Sequence, residues 1–175
     1  MGKYADELKK SMEYLNSKKD TIFLGQSVGC PGTGMTQSFS NCDKDRLIEL
    51  PVIEETQMGM SIGLSLQGWV PISMYPRWNF LLLATNQLIN HLDRIPLYSE
   101  YVPKVIIRTS IGSERPFHPQ HQHVGDFTDA FKLMFKTVNI VRLDEPEQIY
   151  DEYVKAYDSK YSTVLVEWGD YLGEK

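Results

Sequence analysis

Pro51-Val52-Ile53-Glu54-Glu55-Thr56-Gln57-Met58-Gly59-Met60-Ser61-Ile62-Gly63-Leu64-Ser65-Leu66-Gln67-Gly68-Trp69-Val70-Pro71-Ile72 is the stretch on which the fold turns. An apolar run at Leu47 to Leu50 precedes it and another, Val70 to Tyr75, closes it. Glu54 to Gln67 reads as the helix between two strands, and Gly68 ends that helix as a C-terminal glycine does. Gly59 and Gly63 are four apart, hence on one helix face, where missing side chains let another backbone approach. Glu54 falls where strand gives way to helix. A first-turn acid there is favoured by the helix dipole. The carboxyl edge of an open α/β sheet is also where ligands bind, so a functional reading of Glu54 stands beside the structural one.

Working outward, Tyr4, Leu8, Met12 and Leu15 are spaced for an amphipathic helix over Tyr4 to Lys18, followed by a short strand, Thr21 to Leu24. Gly25 to Asn41 is rich in Gly, Ser, Thr and Gln and reads as an ordered surface loop. Further apolar runs at Lys104 to Arg108, Val138 to Leu143 and Thr163 to Trp168 predict buried strands. Asn79 to Ile95 predicts a long helix and Pro146 to Ser159 another, with Pro146 at a plausible first position. Strands alternating with helices imply an α/β three-layer sandwich: a mostly parallel central sheet with helices on both faces. No repeat or linker divides residues 1–175, which are expected to form one domain.

The chain has 175 residues, 42% of them hydrophobic, enough for one sizeable core. Its formal net charge of -5 is mixed along the sequence, which argues against nucleic acid as a partner. No run suits a membrane helix and Met1 to Lys10 lacks a signal peptide's apolar segment, so a cytoplasmic protein is expected. Cys30 and Cys42 read as ordinary thiols.

The spacing of Pro51, Glu54, Gly59, Gly63, Gly68 and Pro71 resembles the pyrimidine-binding domain of transketolase-like thiamine-diphosphate enzymes. The resemblance is closest to the beta subunit of the decarboxylating component of pyruvate and branched-chain 2-oxo acid dehydrogenases. It continues through Tyr75-Pro76-Arg77-Trp78-Asn79-Phe80 to Asn86-Gln87-Leu88-Ile89-Asn90, and more loosely takes in Phe23-Leu24-Gly25, Val105 to Thr109, Gln120-His121 and the strand holding Glu167. The resemblance implies that Glu54 hydrogen-bonds the cofactor's aminopyrimidine and favours the tautomer that takes the proton from the thiazolium carbon. It implies that Phe80 stacks on the pyrimidine, with Pro76 and Leu83 as pocket neighbours; core packing is the structural alternative for all three. Trp78 reads as a packed or interface aromatic.

His118, His121 and His123 lie in the loop Ile111 to Asp126. Alternate residues there could converge on a metal ion, or simply be solvated. The resemblance matches Gln120-His121 to a pair whose histidine assists catalysis, with His123 as its rival. His91, in the long helix, reads as structural.

Two departures qualify the match. The family's first strand ends in Gly followed by acids, whereas Gly25-Gln26-Ser27 supplies none. The Gly-Asp-Gly segment that holds the diphosphate and its Mg is also missing, Gly169-Asp170-Tyr171 having the wrong continuation. The implied protein is therefore one half of a split enzyme. It needs a diphosphate-binding, alpha-type partner subunit that holds Mg, works as a homo- or hetero-oligomer, and acts on a 2-oxo acid or a ketose. The chain stops where family beta subunits continue into a carboxyl-terminal domain, and Met1 and Glu174-Lys175 look like natural ends. A non-catalytic module that retains the fold is the alternative, and a metal-dependent hydrolase using the histidine loop is a weaker third.

Overall fold

The computed structural model describes residues 2–30, 34–112 and 120–170. Six strands form one wholly parallel sheet: β1 (Thr21–Gly25), β2 (Leu47–Glu49), β3 (Val70–Met74), β4 (Ile106–Ile111), β5 (Asn139–Arg142) and β6 (Thr163–Trp168), in the order β2-β1-β3-β4-β6-β5. The helices are α1 (Lys3–Asn16), α2 (Gly34–Gln37), α3 (Glu54–Leu66), α4 (Trp78–Leu81), α5 (Ile95–Tyr98), α6 (Thr128–Met134) and α7 (Pro146–Asp158). Because every strand runs the same way, all six carboxyl ends and the loops leaving them share one edge of the sheet. The chain leaves β1 toward β2 and leaves β3 toward β4, in opposite directions. That makes β1/β3 the topological switch point, where open α/β sheets form a crevice.

The continuous apolar runs are explained by burial on both faces. Phe23, Val70, Ile72, Met74, Ile106 and Leu165 point to one side, joining Leu8, Met12 and Leu15 of α1, Met35 and Phe39, and Ile149 and Tyr153 of α7. Ile107, Val164 and Val166 point to the other, against Met58 and Ile62 of α3, Trp78 to Leu92, and Phe131 of α6. Adjacent residues of one strand thus belong to different cores, as a two-residue side-chain period requires. The half-buried Trp168 packs against both. Its backbone N–H donates to the Tyr4 hydroxyl at 2.9 Å and its indole N–H to Asp144 at 3.1 Å. Tyr4 in turn donates to the Leu143 carbonyl at 2.8 Å.

The stretch expected as one helix over Asn79 to Ile95 is helical without a gap from residue 78 to 92 but changes type along the way, through α4, a turn of 3-10 helix at Leu82–Ala84 and a π-helical stretch at Gln87–Leu92, before a turn separates it from α5. Asp93 fixes where it stops. Its buried carboxylate accepts the backbone N–H groups of Lys136, Thr137 and Val138 at 2.8–2.9 Å, pinning this segment to the entrance of β5, and Pro96 opens the separate turn α5. The remaining expected elements lie within a few residues of their predicted bounds. A Cβ at Gly59 or Gly63 would meet nothing else among the described residues, so the close approach expected at that face does not occur among them. Cys30 is exposed, and burial pushes the Cys42 thiol up to about 11. Among the described residues no helix is long and apolar enough to cross a membrane.

The face shared with α1 and α7 also holds a fully buried ion pair. Arg108 on β4 forks onto Glu167 on β6, Nε to Oε1 at 2.7 Å and Nη2 to Oε2 at 3.0 Å. Its Nη1 donates to Ser38 Oγ at 3.1 Å, and Tyr153 donates its hydroxyl to Glu167. Both charges depend on this geometry, since either one left alone in the interior is costly. Arg108→Met is expected to destabilise the chain by about 3–5 kcal/mol, whereas Arg108→Met combined with Glu167→Leu should recover at least half of that loss. Urea denaturation midpoints of the two variants check this; equal midpoints would show that the pairing contributes little.

The turn after β1 depends on Gly25, with φ at +136°, a conformation that L side chains rarely adopt. A Cβ there would collide with the Met74 carbonyl oxygen and lie 2.8 Å from Gln57 Nε2. Gly25→Ala is therefore expected to destabilise by about 2 kcal/mol or more, read from the same denaturation curves.

Candidate functional site

Some of the residues singled out in the sequence, Glu54 foremost, lie at the carboxyl edge near the switch point. Glu54 is the first residue of α3, with Glu55 beside it in the positive end of the helix dipole. Only 4% of Glu54 is exposed. The helix is held there by Gln57, one turn on and fully buried. Its amide donates to the Met74 carbonyl at 2.9 Å and to Ser73 Oγ at 3.1 Å, so α3 is tethered to the end of β3 across the space Gly25 leaves open.

A neighbour that sequence reasoning counted only as a missing acid proves to be the side-chain partner of Glu54. Gln26, the residue after β1, donates its amide to Glu54 Oε1 at 2.9 Å. The Gln26 loop is itself held by Glu49 at the end of β2, whose carboxylate accepts the backbone N–H groups of Ser27 at 2.8 Å, Gly29 at 2.6 Å and Cys30 at 3.1 Å. The signal for Gln26 was available only as its place directly after Gly25; nothing local shows that it faces a residue 28 positions later.

Tyr75 reaches the backbone of Glu54 from the third strand end, its hydroxyl donating to the Glu54 carbonyl at 3.4 Å. Burial pushes the Tyr75 phenol well above its ordinary range, with the Glu54 charge acting in the same direction. The chain then runs through Pro76, whose carbonyl accepts Ser110 Oγ at 2.6 Å, to Arg77. Arg77 Nη1 donates to the carbonyls of Gly112 at 3.3 Å and His123 at 3.1 Å, holding the described ends of the histidine loop together. Three residues further on, Phe80 is half-buried and packs against the His123 ring, with centroids 5.1 Å apart.

The other candidates separate. His121 is exposed in a short turn at Gln120–Gln122, and His118 lies outside the described residues. Leu83 is 57% exposed. Trp78 is fully buried, donates to Thr128 Oγ1 at 3.3 Å and packs on Phe127 and Phe131, which makes it a core residue. His91 is exposed on the broken helix rather than packed within the structure. No cluster of three or more His, Cys, Asp or Glu side chains suited to a metal ion occurs among the described residues.

Chemically, the edge offers acceptors. Glu54 Oε2 has no hydrogen-bond partner among the described residues, and Asn79 Oδ1 and His123 Nδ1 are buried without one. A carboxylate that is almost fully buried but only half engaged can hold a ligand N–H or take its proton.

No protein-family model matches the chain. Over 114 residues, 62% of its length, it is 28% identical to the pyruvate dehydrogenase E1 component subunit beta of Staurastrum punctulatum. It is 29% identical over 114 residues to that of Gracilaria tenuistipitata var. liui. The chain spans 35% of the length of each of these curated relatives. Among solved structures it resembles a split-gene transketolase seen as an inactive beta4 tetramer, with a TM-score of 0.73 and 15% identity over 94% of this chain and 50% of that one. It likewise resembles the transketolase of Campylobacter jejuni subsp. jejuni NCTC 11168, at a TM-score of 0.73 and 12% identity over 93% of this chain and 25% of that one. At such identities the structures speak for the fold, and the E1 beta relatives speak for kinship in sequence. Both comparisons point the same way: the chain has the fold seen in the transketolases and is similar in sequence to part of the E1 beta subunits.

Proposed function

We propose that the chain is the pyrimidine-binding half of a split thiamine-diphosphate active site acting on a 2-oxo acid or a ketose, with Glu54 as the residue that activates the cofactor. The observation that carries this reading is the buried Glu54 carboxylate at the start of α3, beside the β1/β3 switch point, with one oxygen bonded to Gln26 and the other without a protein partner among the described residues.

The residues present fit an aminopyrimidine. Glu54 Oε2 would accept a ring N–H, and the half-buried Phe80 offers a face for stacking, with Pro76 as a neighbour and the exposed Leu83 outside the pocket. Asn79 Oδ1 and His123 Nδ1 are buried polar atoms that a ligand with N–H groups would satisfy. When bound, thiamine diphosphate supplies a nucleophilic thiazolium carbon that attacks a carbonyl substrate. Glu54 accepts the N–H at the pyrimidine end of the site and is placed to take up its proton. Of the two described loop histidines, His123, whose carbonyl Arg77 holds and whose ring packs on Phe80, is the better placed to assist; His121 stays on the surface.

In this proposal the diphosphate and its Mg are assigned to an alpha-type partner subunit. The similarity to a split-gene transketolase and to E1 beta subunits supports a two-chain site and an oligomeric assembly.

Calorimetry with thiamine diphosphate and Mg, on the chain alone and mixed with a candidate diphosphate-binding subunit, tests the proposal. Binding is expected only in the mixture. Turnover there should fall by about 10²-fold or more in Glu54→Ala. Turnover by the chain alone would refute the split site, and absence of binding in every pairing would favour a non-catalytic module. In the active mixture, His123→Ala should lower the rate by about 10²-fold while His121→Ala changes it little; the reverse pattern would make His121 the site histidine.

A further inference from the structure

We propose that Gln26 is the positioning residue of Glu54: its amide fixes the orientation of the carboxylate, so that Oε2 is presented to a ligand offering an N–H. The function of Glu54 is taken from the reading above; the hydrogen bond itself does not depend on it.

The pairing is built from two sides. Gly25, whose missing side chain leaves room for the Met74 carbonyl and the Gln57 amide, delivers Gln26 to the edge of the sheet. Glu49 fixes the following residues through three backbone N–H groups, so Gln26 leaves β1 on an anchored loop. From the other side, Gln57 sets the start of α3 and hence Glu54. The Gln26 Nε2 to Glu54 Oε1 bond at 2.9 Å closes the arrangement between two tethered elements.

The choice of an amide has a chemical consequence. A carboxylic acid at position 26 would set two carboxyl groups at hydrogen-bond distance, where they would share one proton and raise the ionisation of the pair. Gln26 donates to the charged form of Glu54 and favours it. It neither takes up nor yields a proton near neutral pH. Glu54 is thereby held as an acceptor, which selects a ligand nitrogen carrying hydrogen over one presenting only a lone pair.

The other titratable groups near Glu54 do not substitute for this bond. Tyr75 donates to the Glu54 carbonyl and not to its side chain, and Glu49 is engaged with the loop backbone. Glu55 is exposed on the same helix, and on the segment packed against α3 His91 is exposed to solvent. No lysine, arginine or histidine among the described residues bonds to the Glu54 carboxylate.

The test is a carbon-detected NMR titration of the Glu54 side-chain carboxyl in the chain alone, without cofactor or partner. Its resonance is assigned by its loss in Glu54→Gln. Gln26→Met keeps the length of the side chain and removes the donor; Gln26→Glu restores an acid. The Glu54 midpoint is expected to move up in Gln26→Met. In Gln26→Glu it should rise by about one pH unit or more, with a two-step curve. Denaturation midpoints close to wild type would show that both variants fold. Unchanged Glu54 midpoints in both variants would overturn the proposal. Because no cofactor is present, that result would leave the thiamine reading standing, and absence of cofactor binding would equally leave the Gln26 result intact.

Discussion

Everything at the carboxyl edge depends on one close approach, that of the Gln57 amide to the Met74 carbonyl across the space where Gly25 has no side chain. A helix following a strand can begin in many places; this bond, made by a fully buried side chain in the first turn, fixes where α3 begins relative to β3. Three residues earlier sits Glu54. A buried amide with one oxygen left over is costly to maintain, and its donor half is therefore committed to geometry. The positive φ of Gly25 and the burial of Gln57 are two sides of one constraint.

Around that point the molecule divides its polar interior by purpose. On the face shared with α1 and α7, Arg108 and Glu167 satisfy one another in a closed, bidentate pair supported by Ser38 and Tyr153. That arrangement stabilises and is finished. At the sheet's edge, Glu54, Asn79 and His123 each retain an atom without a partner among the described residues. Native interiors leave few such atoms, and those on Asn79 and His123 are open to a ligand in a way that the paired Arg108 and Glu167 are not.

Much of this was legible in the residues. Unbroken apolar runs such as Val164-Leu165-Val166 can only be strands covered on both faces, and the Pro51 to Ile72 stretch encodes strand, helix and return in order. Glu54 was visible because its position relative to those elements is local. Gln26 was not, since its meeting with Glu54 follows from the strand order β2-β1-β3, which no local pattern specifies. The histidine that packs on Phe80 was ambiguous by two residues for a similar reason. The direction of an irregular loop is set by what holds it, here the Arg77 guanidinium, and not by its spacing. The break in the long helix at Asp93 also escaped, because its cause lies in the N–H groups of Lys136 to Val138, more than forty residues away. The seven-residue α6 is too short to declare a period.

Trp168 gives the architecture a mechanical character. The sheet separates two hydrophobic layers that share no interior space, an arrangement in which one layer could loosen while the other held. At the last residue of β6 a single indole packs against both and is fastened by Tyr4 from one helix and Asp144 from the loop after β5. It acts as a rivet through the wall. One side chain at the end of β6 thus joins the two layers that the sheet keeps apart.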